Sequence, residues 1–160
     1  MSGIGWGNPS SYAAFLQIQH AARLPIELWL ADGAADADVP PVQSPLIAQD
    51  IRALGAQTIG PVGAFSPPAR ASRIGVAWAV AGSSLGNRMI ARSLEGSAGG
   101  STLPTAFLSD GAMGHFWKSM LPQLSSTVSP VAAAAARSGA IAVFDHFIAT
   151  ASAFARKDAA

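Results

Sequence analysis

Gly75-Val76-Ala77-Trp78-Ala79-Val80-Ala81-Gly82-Ser83-Ser84-Leu85-Gly86-Asn87-Arg88-Met89-Ile90 is the stretch whose reading decides the fold. Its apolar and small residues read as part of a long central helix, from about Ala69 to Leu94, with two glycines four apart in the middle. Glycine inside a helix costs about 1 kcal/mol relative to alanine, so Gly82 and Gly86 require a compensating use. Lacking Cβ, they let the backbone bend and let another group lie against the peptide planes. Two uses fit: a kinked roof over a flat macrocycle, or a crossing at which two helix backbones approach. The spacing alone leaves both open.

Working outward, helical periodicity continues on both sides. Ser10 or Ser11 can cap a helix from about Tyr12 to Leu30, with Phe15, Leu16, Ala22, Ile26 and Leu30 as its apolar stripe and Pro25 inside it. Asp32 to Pro41 reads as a loop. Ser44-Pro45 starts a second helix with Leu46, Ile47, Ile51 and Leu54 on its buried face and Gly55 as its stop. Residues 56–67 connect, Gly96 to Pro104 is a glycine and serine loop, and Thr105 to Leu108 reads as a short turn. Gly114 to Leu124 is a further helix, with Pro122 near a bend. Ser129-Pro130 opens the last one, which continues to about Arg156. No stretch alternates with period two for long enough to argue a strand. The expected class is all-α: one domain over residues 1–160, five or six helices in a bundle, and a loose N-terminus over residues 1–10.

Composition narrows the function classes. Of 160 residues, 50% are apolar and 12% charged, about half the usual charged share of roughly 25%. A surface so poor in charge is expected to be covered in part by self-association. A net charge of +1 without a dense Lys/Arg cluster argues against nucleic acid. The apolar runs, such as Val131 to Ala136, are far short of the ~20 residues of a membrane span. The absence of cysteine excludes disulfides and thiolate metal sites. No basic region followed by an apolar stretch marks a secretory signal, and a cytoplasmic location is expected.

The chemistry-bearing residues are few. His20, His115 and His146 have no i, i+3 or i+4 spacing among them, and no Glu-x-x-His motif occurs, so neither a two-histidine site nor a di-iron site is expected. Gly96-Ser97-Ala98-Gly99-Gly100 is followed by no Gly-Lys-Ser, and no serine has a nucleophile-elbow context. The tryptophans at 6, 29, 78 and 117 read as packing residues, with Trp78 or Trp117 able to line a pocket.

Trp78-Ala79-Val80-Ala81-Gly82-Ser83-Ser84-Leu85-Gly86-Asn87-Arg88-Met89-Ile90 resembles the distal helix of haem oxygenases, in the bacterial branch that accompanies bacteriophytochromes. The usual pattern there is an aromatic, a short apolar pair, a glutamate, Gly-Ser-x-Leu-Gly-Gly and a hydrophobic tail. Tyr12-Ala13-Ala14-Phe15-Leu16 with Leu24-Pro25-Ile26-Glu27 is similar to the family's second helix. Phe116-Trp117-Lys118 with Leu124 resembles its later aromatic helix, and Ala140 to Ala151, with Phe144 and Phe147, its last one. The resemblance implies a haem-oxygenase-like bundle with a kinked central helix. It also implies haem as substrate and cofactor, biliverdin, carbon monoxide and iron as products, and a reductase or ferredoxin as electron donor. Gly82, Ser83, Gly86 and Asn87 would form the catalytic distal face. Lys118 would pair with a propionate, Trp78 and Phe144 would line the pocket, and His20 is the candidate replacement ligand.

Three departures bear on activity. The family's iron-ligating histidine stands upstream of the Tyr-x-x-Phe-Leu stretch, where Met1 to Ser11 hold no histidine. Ala81 stands where glutamate is common, and Asn87 replaces the second glycine. The readings are an active haem oxygenase, a non-catalytic relative that binds haem or a bilin or interacts with a protein, or a natural chain that starts upstream of Met1. No resident metal other than haem iron is expected.

Overall fold

In the computed structural model, residues 8–32, 39–96, 102–126 and 128–158 are described. Most of the N-terminal stretch expected to be loose, residues 33–38 of the first loop and residues 97–101 of the glycine and serine loop lie outside them, as does Trp6. Among the described residues the structure is all-α: α1 (Pro9–Ala31), α2 (Ser44–Ala53), α3 (Arg73–Glu95), α4 (Ala112–Ser125) and α5 (Pro130–Asp158).

The helix ends follow local chemistry. Asn8, rather than Ser10 or Ser11, caps α1: its Oδ1 accepts the Ser10 N–H at 2.9 Å, and Pro9 takes the first turn, where no intrahelical donor is needed. Pro25 is buried inside α1 without ending it. Gly55, at φ 72°, supplies the left-handed residue that stops α2. α3 starts four residues later than its apolar pattern suggests. Ser72 is extended, and its N–H reaches across to the Ala135 carbonyl of α5 at 3.0 Å instead of joining the helix. From Arg73 onward α3 runs unbroken through both glycines. Asp110 Oδ1 accepts the Ala112 N–H at the start of α4 (3.1 Å), and Ser129 Oγ accepts the Ala132 N–H at the start of α5 (3.2 Å).

The broadest helix contact is α3 with α5. It depends on two glycines far apart in sequence. A Cβ on Gly75 would run into the Ala136 carbonyl, and one on Gly139 would sit 2.5 Å from the Ser72 carbonyl. Gly82 has a different neighbour, the Trp117 ring of α4, at 3.3 Å from where its Cβ would be. Gly86 faces open space.

Two apolar clusters result. The larger joins Ile26 and Leu30 of α1, Val76, Ala77 and Ala79 to Ala81 of α3, Met113 and Met120 of α4, and Ala140 and Val143 of α5. The smaller joins Tyr12 and Leu16 of α1, Ile47 and Ile51 of α2, Leu94 at the end of α3, and Phe107 and Leu108. By length and composition alone α5 could cross a membrane. Here it lies against α3 and α1, yet leaves Ile141, Phe144 and Ile148 exposed.

The glycines should therefore separate by substitution. Gly75→Ala is expected to cost about 1–3 kcal/mol, because two backbones must move apart. Gly86→Ala is expected to add up to about 1 kcal/mol, since helix propensity improves with no clash. Urea unfolding of the two variants should give shifts of opposite sign.

Candidate functional site

α1, α3 and α5 enclose a cavity of about 350 Å³. α3 supplies Ser83, Gly86 and Asn87 to its wall, α1 supplies Phe15, Gln19 and Arg23, and α5 supplies Phe144 and Phe147. The sequence-predicted residues Ser83, Gly86, Asn87 and Phe144 thus meet at one place. The others stand elsewhere. Gly82 turns to α4. Trp78 packs on Trp117 (ring centroids 5.7 Å apart), and Lys118 is exposed on α4. His20 does not line the cavity, and neither does any other described histidine.

Arg23 is the residue that sequence reading missed. It is 1% exposed. Its Nε donates to Gln19 Oε1 at 3.3 Å and its Nη2 to Ser83 Oγ. The guanidinium lies 5.2 Å from the centroid of the Phe107 ring and 5.9 Å from that of Phe147. Ser83 Oγ in turn donates back to the Val80 carbonyl at 2.6 Å, the usual habit of serine in a helix. Nη1 of Arg23 has no partner. Asn87, 6% exposed and one turn along α3 from Ser83, likewise has an unpartnered Nδ2. A buried donor left unpaired costs about 1–3 kcal/mol, and more when charged. Burial lowers the Arg23 pKa to about 10, opposed by the charge of Glu27, so the group remains a cation at neutral pH.

A second set of buried polar groups frames this wall. Glu27 accepts the Gln43 N–H at 2.7 Å, the Ser44 N–H at 3.2 Å and the Ser44 hydroxyl at 2.5 Å. It thereby caps α2 from another helix, at the end where the helix dipole favours an anion. Asp50 accepts the Ala106 and Phe107 N–H groups at 3.1 and 2.9 Å, and the Tyr12 hydroxyl donates to the Pro104 carbonyl at 2.8 Å. Burial raises Asp50, with those two amides opposing, and raises Tyr12 further beside the Asp50 charge. These contacts fix Phe107 under the Arg23 guanidinium.

A wider cleft of about 510 Å³ lies between residues 64–70 and α5, lined by Arg70, Arg137, Asp145 and His146 among others. Arg70, Arg137 and Asp145 there are exposed to solvent. The α1–α3–α5 cavity is the better candidate because two buried donors without partners belong to its wall. Among the described residues no three His, Asp or Glu side chains converge to hold a metal ion. No family model, curated protein or solved structure matches the chain.

His20 and His146 are each held below their ordinary pKa of 6.5, first by burial. The Glu27 charge and the Ile59 backbone oppose this at His20, and the Ala22 backbone opposes it at His146. A histidine whose folded pKa is depressed binds more protons unfolded than folded, so its contribution falls as pH drops below 6.5. The raised Asp50 has the opposite sign above 3.8. Urea midpoints should rise with pH from about 5 to 7, and His20→Gln with His146→Gln should flatten that rise.

Proposed function

We propose that this chain is a non-catalytic relative of haem oxygenases, a helical module that binds a bilin or haem in the α1–α3–α5 cavity. The reading rests on the resemblance in sequence together with one observation. Ser83, Gly86 and Asn87, three of the four residues of the expected distal face, line one cavity walled by Phe15, Phe144 and Phe147, while Gly82 faces Trp117. Gly86 is where a flat ring can lie against the helix, since no atom occupies the space beside it.

Iron chemistry fits the site poorly. Haem cleavage needs an imidazole on the iron, and the lining residues include none. What the wall offers is aromatic surface and hydrogen-bond donors, which suits holding a conjugated acid rather than activating oxygen. A cavity of about 350 Å³ is at the small end of ligand sites. It takes part of a tetrapyrrole, the rest projecting past Phe144, which is 56% exposed. Gly82 and Trp117 hold α4 behind this wall, and a bend at the glycines would widen the slot. Lys118, on α4, is left to solvent or to a partner.

Titration with biliverdin and with haem tests the reading. Saturable visible-spectrum changes are expected with a dissociation constant of about 10 μM or tighter, with no imidazole-type haem spectrum. Haem plus a ferredoxin system should not turn green. Green product with carbon monoxide release would make the chain an enzyme, and no binding of either pigment would end the tetrapyrrole reading.

Self-association belongs to the same proposal. Ile141 and Ile148 form an exposed apolar edge of α5, and a second copy covers it. Sedimentation should give a dimer mass that Ile148→Ser with Ile141→Ser reduces to that of a monomer. A monomer in the unaltered chain would refute the pairing.

A further inference from the structure

We infer that the α1–α3–α5 cavity recognises a carboxylate, which enters first and is held at the closed end by Arg23 Nη1 and Asn87 Nδ2. The inference rests on that cavity being a ligand site, and it assigns the head group and the direction of entry.

Three observations carry it. The first is the pair of orphan donors: among the buried polar atoms of this wall, Arg23 Nη1 and Asn87 Nδ2 both lack a partner. Both are donors, so what completes them is an acceptor. The second is how the guanidinium is held. Gln19, Ser83 and Phe147, all cavity-lining, surround it. Its remaining edge is shut off from water, with its orientation already set, which lowers the ordering cost of binding. The third is polarity along the cavity. Arg23 is sealed at 1% exposure while Phe144 stands open at 56%. A ligand must therefore have an anionic end and an apolar body, and the anionic end goes in first.

The acceptor is a monoanion. The Arg23 guanidinium is the only cation on the wall, whose other side chains are uncharged: aromatic and aliphatic ones together with Gln19, Ser83 and Asn87. The nearby Glu27 already gives its oxygens to the N-terminus of α2. A dianionic phosphate would leave charge without compensation among phenyl rings, whereas a carboxylate matches the fork of the guanidinium. Such a carboxylate is either a propionate of a tetrapyrrole or the head of a fatty or aromatic acid, and the experiment separates them.

The full chain is titrated with biliverdin, biliverdin dimethyl ester, oleate and 2-naphthoate, each against the unaltered protein and the Arg23→Met, Arg23→Lys and Asn87→Leu variants. Circular dichroism melting checks that each variant folds. Biliverdin is expected to bind at least about tenfold more tightly than its ester. Arg23→Met should erase that preference and Asn87→Leu should reduce it, without loss of cooperative melting. Equal binding of biliverdin and its ester to the unaltered protein would overturn the carboxylate anchor and leave the tetrapyrrole reading in place. Binding of oleate or naphthoate that depends on Arg23, with no binding of either pigment, would uphold the anchor and overturn the tetrapyrrole reading. Failure of all four probes would overturn both. The comparison of acid with ester needs no substitution, so it decides the matter even where an Arg23 variant does not fold.

Discussion

The close crossing of α3 and α5 is the constraint on which the rest of the structure depends. At Gly75 and Gly139 the two backbones touch without side chains between them, and the Ser72 N–H bonds directly to the Ala135 carbonyl. This contact sets where the helices begin to run together. One turn further on, Ala79, Val80 and Val143 bring the pair to the cavity, and the larger side chains beyond keep it from closing. α1 supplies the third wall because Ile26 and Leu30 pack into the same core. The cavity is thus a product of glycine at one place and bulk at the next.

Polar side chains of α1, α2 and α3 tie the remaining parts to this frame. Glu27 takes over the cap that Gln43, which precedes α2, does not provide, and Arg73 closes the other end of α1 through the Leu30 and Asp32 carbonyls while lying over the Trp29 ring. Asp50 and Tyr12 hold residues 104–107. The Glu27 and Asp50 carboxylates and the Tyr12 hydroxyl thus find backbone partners, as burial demands. On the cavity wall, Arg23 Nη1 and Asn87 Nδ2 lack such partners, and two donors left unpaired on one wall are where a ligand's acceptor is to be sought.

The helices were legible in the sequence because their signals are local: periodic apolar residues, Ser44-Pro45, Gly55 and Ser129-Pro130. Gly82, Ser83, Gly86 and Asn87 were grouped through the resemblance, and Ser83, Gly86 and Asn87 meet at the cavity while Gly82 packs on Trp117. What was not legible is pairing over distance. A crossing was one use foreseen for the paired glycines, yet the tightest one uses Gly75 with Gly139, which no local pattern connects. The cap of α2 comes from Glu27, sixteen residues before Gln43. Ser72 leaves helical geometry for a partner on α5. Arg23 did leave a trace: it stands seven residues after Leu16 and seven before Leu30, so the apolar stripe of α1 passes through it. An arginine in such a register is buried, and its burial calls for acceptors that the chain itself only partly supplies.

Arg23 also stands at a boundary. On one side is Phe107, a member of the smaller apolar cluster, and on the other Phe147, packed against the larger. A guanidinium at that seam holds two oily masses together by cation–π attraction and a few hydrogen bonds, a weaker weld than continuous hydrocarbon. Such a molecule has a natural fault line. The amides of α2 and of residues 102–110 belong to the lesser mass and would exchange with solvent as one cooperative unit, ahead of α3 and α5. Partial opening along that line would bare the inner end of the slot while the outer walls stand, giving a small molecule a back door that the closed form conceals.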